Sequence, residues 1–295
     1  GTKKRMFPNQ DLVDDFDNPY WLINYNPQTD KTQRWIASIY AGVKVTDWMD
    51  VNYRLGYDSY LTKYQSVTYP GSGVKEAWQK GMLSQSDRSY NYINSNLMVS
   101  LHKVFFNDWD ASLLLGHSTD DTKLTSNSRR SEQFVIPGRV TDINNATQEN
   151  QYFSQSNQNK RLIGVYGDFR LAYKSMAFFS MTGRNDWSST LPQQNRSFFY
   201  PSFSGSFVFT EVLPENTILS YGKVRASVAE VGKDASVYQT NTYLFGPETT
   251  IGGGFRNSWT GGNSDLKPES TISKEYGAEV RFFNNRLGFD FAYYD

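Results

Sequence analysis

The chain has 295 residues, with 30 Lys+Arg against 30 Asp+Glu and a formal net charge of zero, which excludes a strongly basic nucleic-acid binder and an acidic tail protein. It has no Cys and only two His, His102 and His117, so a disulfide scaffold, a thiolate zinc site and a Cys nucleophile are excluded. No stretch approaches the roughly 20 apolar residues of a membrane-spanning helix, but a membrane β-barrel escapes that test because its strands alternate apolar and polar residues.

The N-terminal Gly1–Pro8 carries basic residues with no apolar run behind them, so it does not read as an intact signal peptide. Up to about Gln33 the chain is polar and rich in turn-formers (Asp14-Asp15, Asn18-Pro19, Asn26-Pro27), which predicts irregular structure. Period-2 alternation then takes over. Its clearest instance puts Met49, Val51, Tyr53, Leu55 and Tyr57 on one face and Asp50, Asn52, Arg54, Gly56 and Asp58 on the other. Strands are predicted over 34–46, 49–58, 90–102, 109–118, 161–173, 176–185, 200–210, 219–231, 272–283 and 286–294. Tyr and Phe number 20 each, as suits strands and the membrane–water interface.

The predicted connections alternate strictly between short and long. Thr46-Asp47, Phe106–Asp108, Lys174-Ser175 and Asn284-Asn285 are tight and 211–218 is fairly short, whereas 62–89, 119–160 and 232–271 are long and 186–199 is of medium length. A soluble sandwich has no physical reason to keep this alternation, but an outer-membrane barrel does: its periplasmic turns are short and its extracellular loops long. Aromatics flank the short turns (Trp48; Phe105, Phe106 and Trp109; Tyr173 and Phe178; Phe282 and Phe283), as an interfacial girdle requires. The expected fold is all-β, an antiparallel transmembrane barrel segment of about ten strands.

The faces acquire meanings accordingly. Lipid-facing candidates are Met49, Val51, Tyr53 and Leu55; Ile163, Val165, Phe169 and Leu171; Phe203, Phe207 and Phe209; and Leu287, Phe289 and Phe291. Lumen-facing candidates are Asp50, Arg54, Asp58, Asp168, Arg170, Arg184, Glu275, Glu279, Arg281 and Asp290. Lys223 and Arg225 fit only if Val224, Ala226 and Val228 face lipid, and Lys274 fits only near the headgroups. Ten strands either close by pairing their ends or form part of a larger barrel, because lipid does not tolerate open sheet edges.

Several segments are specific. Arg184-Asn-Asp-Trp-Ser-Ser-Thr-Leu-Pro192 followed by Asn195-Arg-Ser-Phe-Phe-Tyr-Pro-Ser-Phe-Ser204, then Lys223-Val-Arg-Ala-Ser-Val-Ala-Glu-Val-Gly-Lys233, resemble the SusC/RagA-type TonB-dependent outer-membrane transporters. So do Asn263-Ser-Asp-Leu-Lys-Pro-Glu269, Glu275-Tyr-Gly277, Phe282–Leu287, Asp17–Trp21 and Arg54-Leu-Gly56. The resemblance implies a barrel of about 22 strands with an N-terminal plug and a TonB box. No plug, TonB box or closing strand is recognisable, so residues 1–295 are expected to be a middle-to-late barrel segment of a longer polypeptide. It further implies import of oligosaccharides or peptides across the outer membrane of a Gram-negative bacterium, a SusD-like surface lipoprotein at the mouth, and energy from TonB, ExbB and ExbD.

Such a protein needs a selective surface, and no catalytic residue, metal or cofactor is expected. Ring-bearing loop residues are the substrate-binding candidates: Tyr69, Trp78, Trp187, Tyr243 and Trp259, with Tyr152, Phe153 and Phe245 beside them. Arg184 and Asp186, at a strand exit, read as a structural salt bridge at the rim. The glycine clusters 252–254, 261–262 and Gly71-Ser-Gly73 lack the strand–helix context of a phosphate loop. The adjacent carboxylates Asp14-Asp15 and Asp120-Asp121 lack the spacing of a glycosidase pair. The rivals are a soluble all-β carbohydrate-binding module, which requires Leu55, Val165 and Phe207 in a protein core, a β-rich glycoside hydrolase, and a SusC-like barrel with an assembly-associated role.

Overall fold

The structure is a computed structural model, and it describes residues 17–72, 78–214, 218–248 and 253–295. Asp14-Asp15, Gly73 and Gly252 lie outside the described residues. A short helix, Pro19–Tyr25, opens the described chain; the Asn18 side chain accepts from the Tyr20 N–H and Pro19 occupies the first turn, where a missing N–H does no harm. Among the described residues twelve strands follow: β1 Gln28–Thr46, β2 Met49–Thr68, β3 Met82–Phe105, β4 Trp109–Glu132, β5 Gln151–Tyr173, β6 Ala177–Ser188, β7 Ser197–Val208, β8 Leu219–Lys233, β9 Leu244–Glu248, β10 Gly254–Asn257, β11 Glu269–Phe282 and β12 Leu287–Tyr294. Ten of them form one sheet in chain order, β1 to β8 and then β11 and β12; β9 and β10 make a separate two-stranded sheet.

The tight turns have a local cause. Phe106 and Asn107, Lys174 and Ser175, and Phe283, Asn284 and Asn285 all have positive φ. Consecutive left-handed residues twist a hairpin in the sense its strands already twist.

The register divides the sheet into two chemically distinct faces. On one, Val165 opposes Asn185, Phe169 opposes Met181, Met181 opposes Phe203, and Phe203 opposes Val228. Phe207, Val224, Val280 and Phe289 continue this apolar row across β7, β8, β11 and β12. On the other, Asp168 opposes Thr182, Thr182 opposes Ser202, Ser204 opposes Ser227, and Lys223 opposes Glu279, which opposes Asp290. Lys223 and Arg225 therefore lie on the polar face, and Val224, Ala226 and Val228 on the apolar one. Lys274 is on the apolar face opposite Val228, with its ammonium 3.9 Å from the Asp295 carboxylate. Phe209 departs from the expected strand: it begins a 3-10 turn, Phe209–Val212, and its ring covers Gly222, where a Cβ would meet it at 2.1 Å.

The strands overrun their expected ends. β2 continues to Thr68, β3 starts at Met82, β4 runs to Glu132 and β5 starts at Gln151, so the expected loops 62–89 and 119–160 shrink to 69–81 and 133–150. The stretch before Gln33 holds a helix and the start of β1. The chain divides into two compact units. The first (1–37, 57–92 and 122–159) takes the parts of β1–β5 remote from the tight turns and has its own core of Val67, Leu83, Phe134 and Val140. The second (38–56, 93–121 and 160–295) takes the rest of the sheet.

In the second unit Val165 and Phe207 are exposed and Leu55 is half-buried, none of them in the protein core that a soluble module requires. A contiguous exposed apolar band of this size marks a surface covered by something apolar. Lipid is that cover for an antiparallel sheet with alternating faces.

Candidate functional site

The polar face of the second unit is organised by two hydrogen-bonded clusters. Asp186 on β6 is 4% exposed. Its carboxylate accepts from the Arg184 guanidinium at 2.8 Å and from the Tyr200 hydroxyl on β7. Arg184 also donates to Ser118 on β4 at 3.0 Å and lies over the Tyr166 ring of β5, 5.4 Å from its centroid. The Tyr166 hydroxyl donates to Asn96 on β3 at 2.8 Å. Gly164 makes room for this: a Cβ there would stand 2.3 Å from the Arg184 guanidinium and 2.5 Å from the Asp186 carboxylate. One chain of contacts thus ties β3, β4, β5, β6 and β7.

The second cluster centres on Asp234, just after β8. Its carboxylate accepts from Ser188, from Thr190 at 3.4 Å and from the Lys160 ammonium at 2.7 Å. The Ser189 hydroxyl accepts from the Arg161 N–H at 2.8 Å, and the Ser189 N–H donates to the Arg161 carbonyl at 2.9 Å. The Arg161 guanidinium reaches Asp121 at 2.7 Å. Arg184, Asp186, Ser188, Ser189, Thr190 and Tyr200 belong to the most specific sequence segment, and with Asp234, just beyond another, they mutually satisfy their polar groups.

Further along the polar face, Asp110, Arg170, Ser180, Ser204, Arg225 and Glu275 line a cavity of about 440 Å³. Leu171, Phe178 and Phe179 line it as well. Arg225 spans Glu275 at 3.3 Å and Asp290 at 3.0 Å, and Arg170 pairs with Asp168 at 2.6 Å. Glu279 pairs with Arg281 at 2.6 Å. Arg54 shares its face with Asn52, which bonds the Tyr40 hydroxyl. This surface carries both signs of charge and many hydroxyls, which suits a polar solute without dictating one.

In the first unit, Asp58 on β2 pairs with Arg34 on β1 at 2.6 Å, and Tyr60 stacks on Tyr90 at 4.9 Å. The Trp78 indole donates to Glu132 at 2.8 Å, and Arg130 holds the same carboxylate at 2.9 Å. Trp78, Tyr64, Asn26, Gln28, Ser84 and Arg130 surround a cavity of about 460 Å³. Tyr69 is packed against the Val67–Leu83 core and meets Tyr25 edge-on.

The remaining ring candidates disperse. Trp187 lies within β6 rather than in a loop, opposite Ile163 on the apolar face. The Tyr243 hydroxyl bonds the Tyr238 carbonyl at 3.1 Å, whereas Trp259 is 96% exposed. Tyr69 and Trp78 thus belong to the first unit, and Trp187, Tyr243 and Trp259 to the second. Sequence reading missed the Asp234 cluster altogether; the Gly232-Lys233-Asp234 sequence at a strand end was its only signal.

Residues 2–295 match the family model described as TonB dependent receptor-like, beta-barrel. TonB-dependent receptor P3 of Formosa agariphila is 26% identical over 300 residues, covering 96% of this chain and 29% of that protein. TonB-dependent receptor P26 of the same organism is 27% identical over 181 residues, covering 58% of this chain and 18% of that protein. The fold is shared with a chain in the structure of the RagAB peptide transporter, with a TM-score of 0.81 and 18% identity over 94% of this chain and 31% of that one. This chain thus spans less than a third of the length of each of these relatives. The chain belongs to the TonB-dependent receptor β-barrel family, whose members reside in the outer membrane of Gram-negative bacteria.

Proposed function

We propose that the chain is part of the barrel wall and extracellular loops of an outer-membrane nutrient importer, with the polar face lining the lumen. In this reading its ten strands belong to a larger barrel of about 22 strands, whose plug and TonB box lie elsewhere in the polypeptide. A SusD-like surface lipoprotein works at the mouth, and TonB–ExbB–ExbD supplies the energy. The cargo is an oligosaccharide or a peptide, and the fold shared with the RagAB peptide transporter favours a peptide.

The observation that carries this reading is the two-faced sheet: one face apolar and exposed, the other held by the Arg184–Asp186 and Asp234 clusters. Polar groups of both signs along a lipid-enclosed wall provide a hydrated path. Arg54, Asp58, Asp168, Arg170, Arg184 and Glu279 are then lumenal, and Trp78, Tyr243 and Trp259 are loop residues available to cargo or lipoprotein. Trp187, on the apolar face, instead suits the interfacial girdle.

The test is uptake by cells in which the full-length gene is deleted and then restored. Loss of peptide or oligosaccharide uptake on deletion, regained on restoration and abolished without TonB, is expected. Unchanged uptake of both pools would sink the importer reading.

A further inference from the structure

The sheet leaves one edge open within the chain itself. β5 has 23 residues and its neighbour β6 only 12. The β5–β6 pairing starts at Leu162 opposite Ser188, and Arg161 still bonds Ser189, so residues 151–160 of β5 continue beyond it with β4 on one side. That stretch stays in one register with β4. Tyr173 meets Trp109 at 4.5 Å, Arg161 bonds Asp121, and Tyr152 lies under Arg130 at 4.8 Å. Each pair is displaced by the same amount along both strands, so the alternation is not reset between them.

That alternation fixes which backbone groups face the open side. The Arg161 N–H and C=O both point away from β4, to Ser189. Counting back in twos, the main-chain groups of Asn157, Gln155 and Phe153 point the same way. Among the described residues, no backbone hydrogen bond from outside the sheet reaches them. Phe153 is 70% exposed.

Open edges are ordinarily protected by Lys, Pro, a bulge or inward charges. The β5 edge has none of these: from Asn150 to Asn159 there is no charged residue and no Pro. Beside it, Asp87, Asn127, Arg129, Phe153 and Gln155 border a shallow cavity of about 600 Å³.

We propose that Phe153–Asn157 of β5 binds an extended, uncharged peptide by antiparallel strand addition, resting on the reading that the cargo is a peptide. A donor and an acceptor presented together every second residue, about 6.8 Å apart, match another β-strand. The stretch is short and bounded, by the Gln148–Asn150 turn at one end and the β6 pairing at the other. That suits a short free peptide better than the sheet of a dedicated partner. Recognition through backbone leaves the cargo's side chains unspecified, and Ser, Asn and Gln around the edge adapt to many of them. An importer of mixed peptides needs that tolerance.

The test uses the full-length protein with its partner in detergent and a fluorescent capped heptapeptide of alternating threonine and valine. Two N-methylated versions, with methyls on alternate residues, block either one edge of the peptide or the other. Strand addition predicts that one version binds at least about tenfold more weakly and the other nearly as the parent. Gln155→Pro should weaken the parent peptide similarly, while leaving amide-exchange protection of β4 intact, because the Gln155 N–H points away from β4. Binding that ignores both N-methyl patterns and Gln155→Pro would overturn the edge site and leave the peptide reading standing. A wild-type protein that binds oligosaccharides but no peptide would overturn both. Gln155→Pro that loosens the lipoprotein without altering peptide affinity would overturn the assignment to cargo.

Discussion

The two units use the same strands under different solvent conditions. In the second, β5 reads Ile163, Val165, Phe169 and Leu171 on one face against Tyr166, Asp168 and Arg170 on the other. In the first, the same strand reads Phe153, Gln155 and Asn157 against Tyr152, Ser154, Ser156 and Gln158, with all of 152–158 exposed. The hydrogen-bonded geometry is continuous, but only one stretch carries an apolar face. Alternation is thus a record of what each face touches, and it fades where both faces touch water. The first unit offsets the loss with a small core under its loops and with polar staples such as Asn145, whose side chain bonds Ile136 twice and Arg139 once.

Four substitutions and one control break or sharpen this comparison. The largest effect is expected from Arg184→Ala, which leaves the nearly inaccessible Asp186 carboxylate without its cation. A loss of about 3–5 kcal/mol is expected, read as a lower unfolding temperature of the detergent-solubilised barrel. Val165→Arg, on the apolar face, should cost about 2–4 kcal/mol if it lies at mid-bilayer depth. Thr182→Arg, on the polar face, is its control, and equal losses in lipid-reconstituted unfolding would contradict the assignment of faces. Asn145→Ala removes three bonds from a buried loop staple and should cost about 1–3 kcal/mol. Its effect should be confined to the first unit, seen as faster amide exchange over 133–150 with little change in β7 and β8. The smallest effect is expected from Lys233→Ala, whose partner Glu269 is as exposed as itself. That pair is worth at most about 0.5–1 kcal/mol, and salt should abolish the difference. A fifth measurement tests scale: the native polypeptide extracted from outer membranes should have a mass several times 33.8 kDa, and a mass close to 33.8 kDa would sink the larger barrel.

The strands near the tight turns were legible because lipid on one side and a polar interior on the other impose a period of two. Met49 to Asp58, Ile163 to Arg170 and Leu287 to Phe291 all show it. The continuations of β2 through Thr68, β4 through Glu132 and β5 from Gln151 were not legible. Segments such as Asp121-Thr-Lys-Leu-Thr-Ser-Asn-Ser-Arg129 have polar residues on both faces and read as loops. The candidate site followed the same division. Asp168, Arg170 and Glu279 fall on the polar face by parity alone, whereas Trp187 sits in the polar stretch Arg184–Thr190, which reads as a loop although β6 runs on to Ser188.

Composition, parity and turn chemistry by themselves determined an antiparallel two-faced sheet, its ten strands and the short turns that join them, since each depends on a residue and its immediate neighbours. The meeting of Arg184 with Ser118, of Lys160 with Asp234 and of Trp78 with Glu132 depends on cross-strand register and on loops folding back. So does the open edge at Phe153–Asn157, which exists only because β6 stops at Ser188 while β5 continues. These contacts join residues far apart in the chain, and only the tertiary structure decided them.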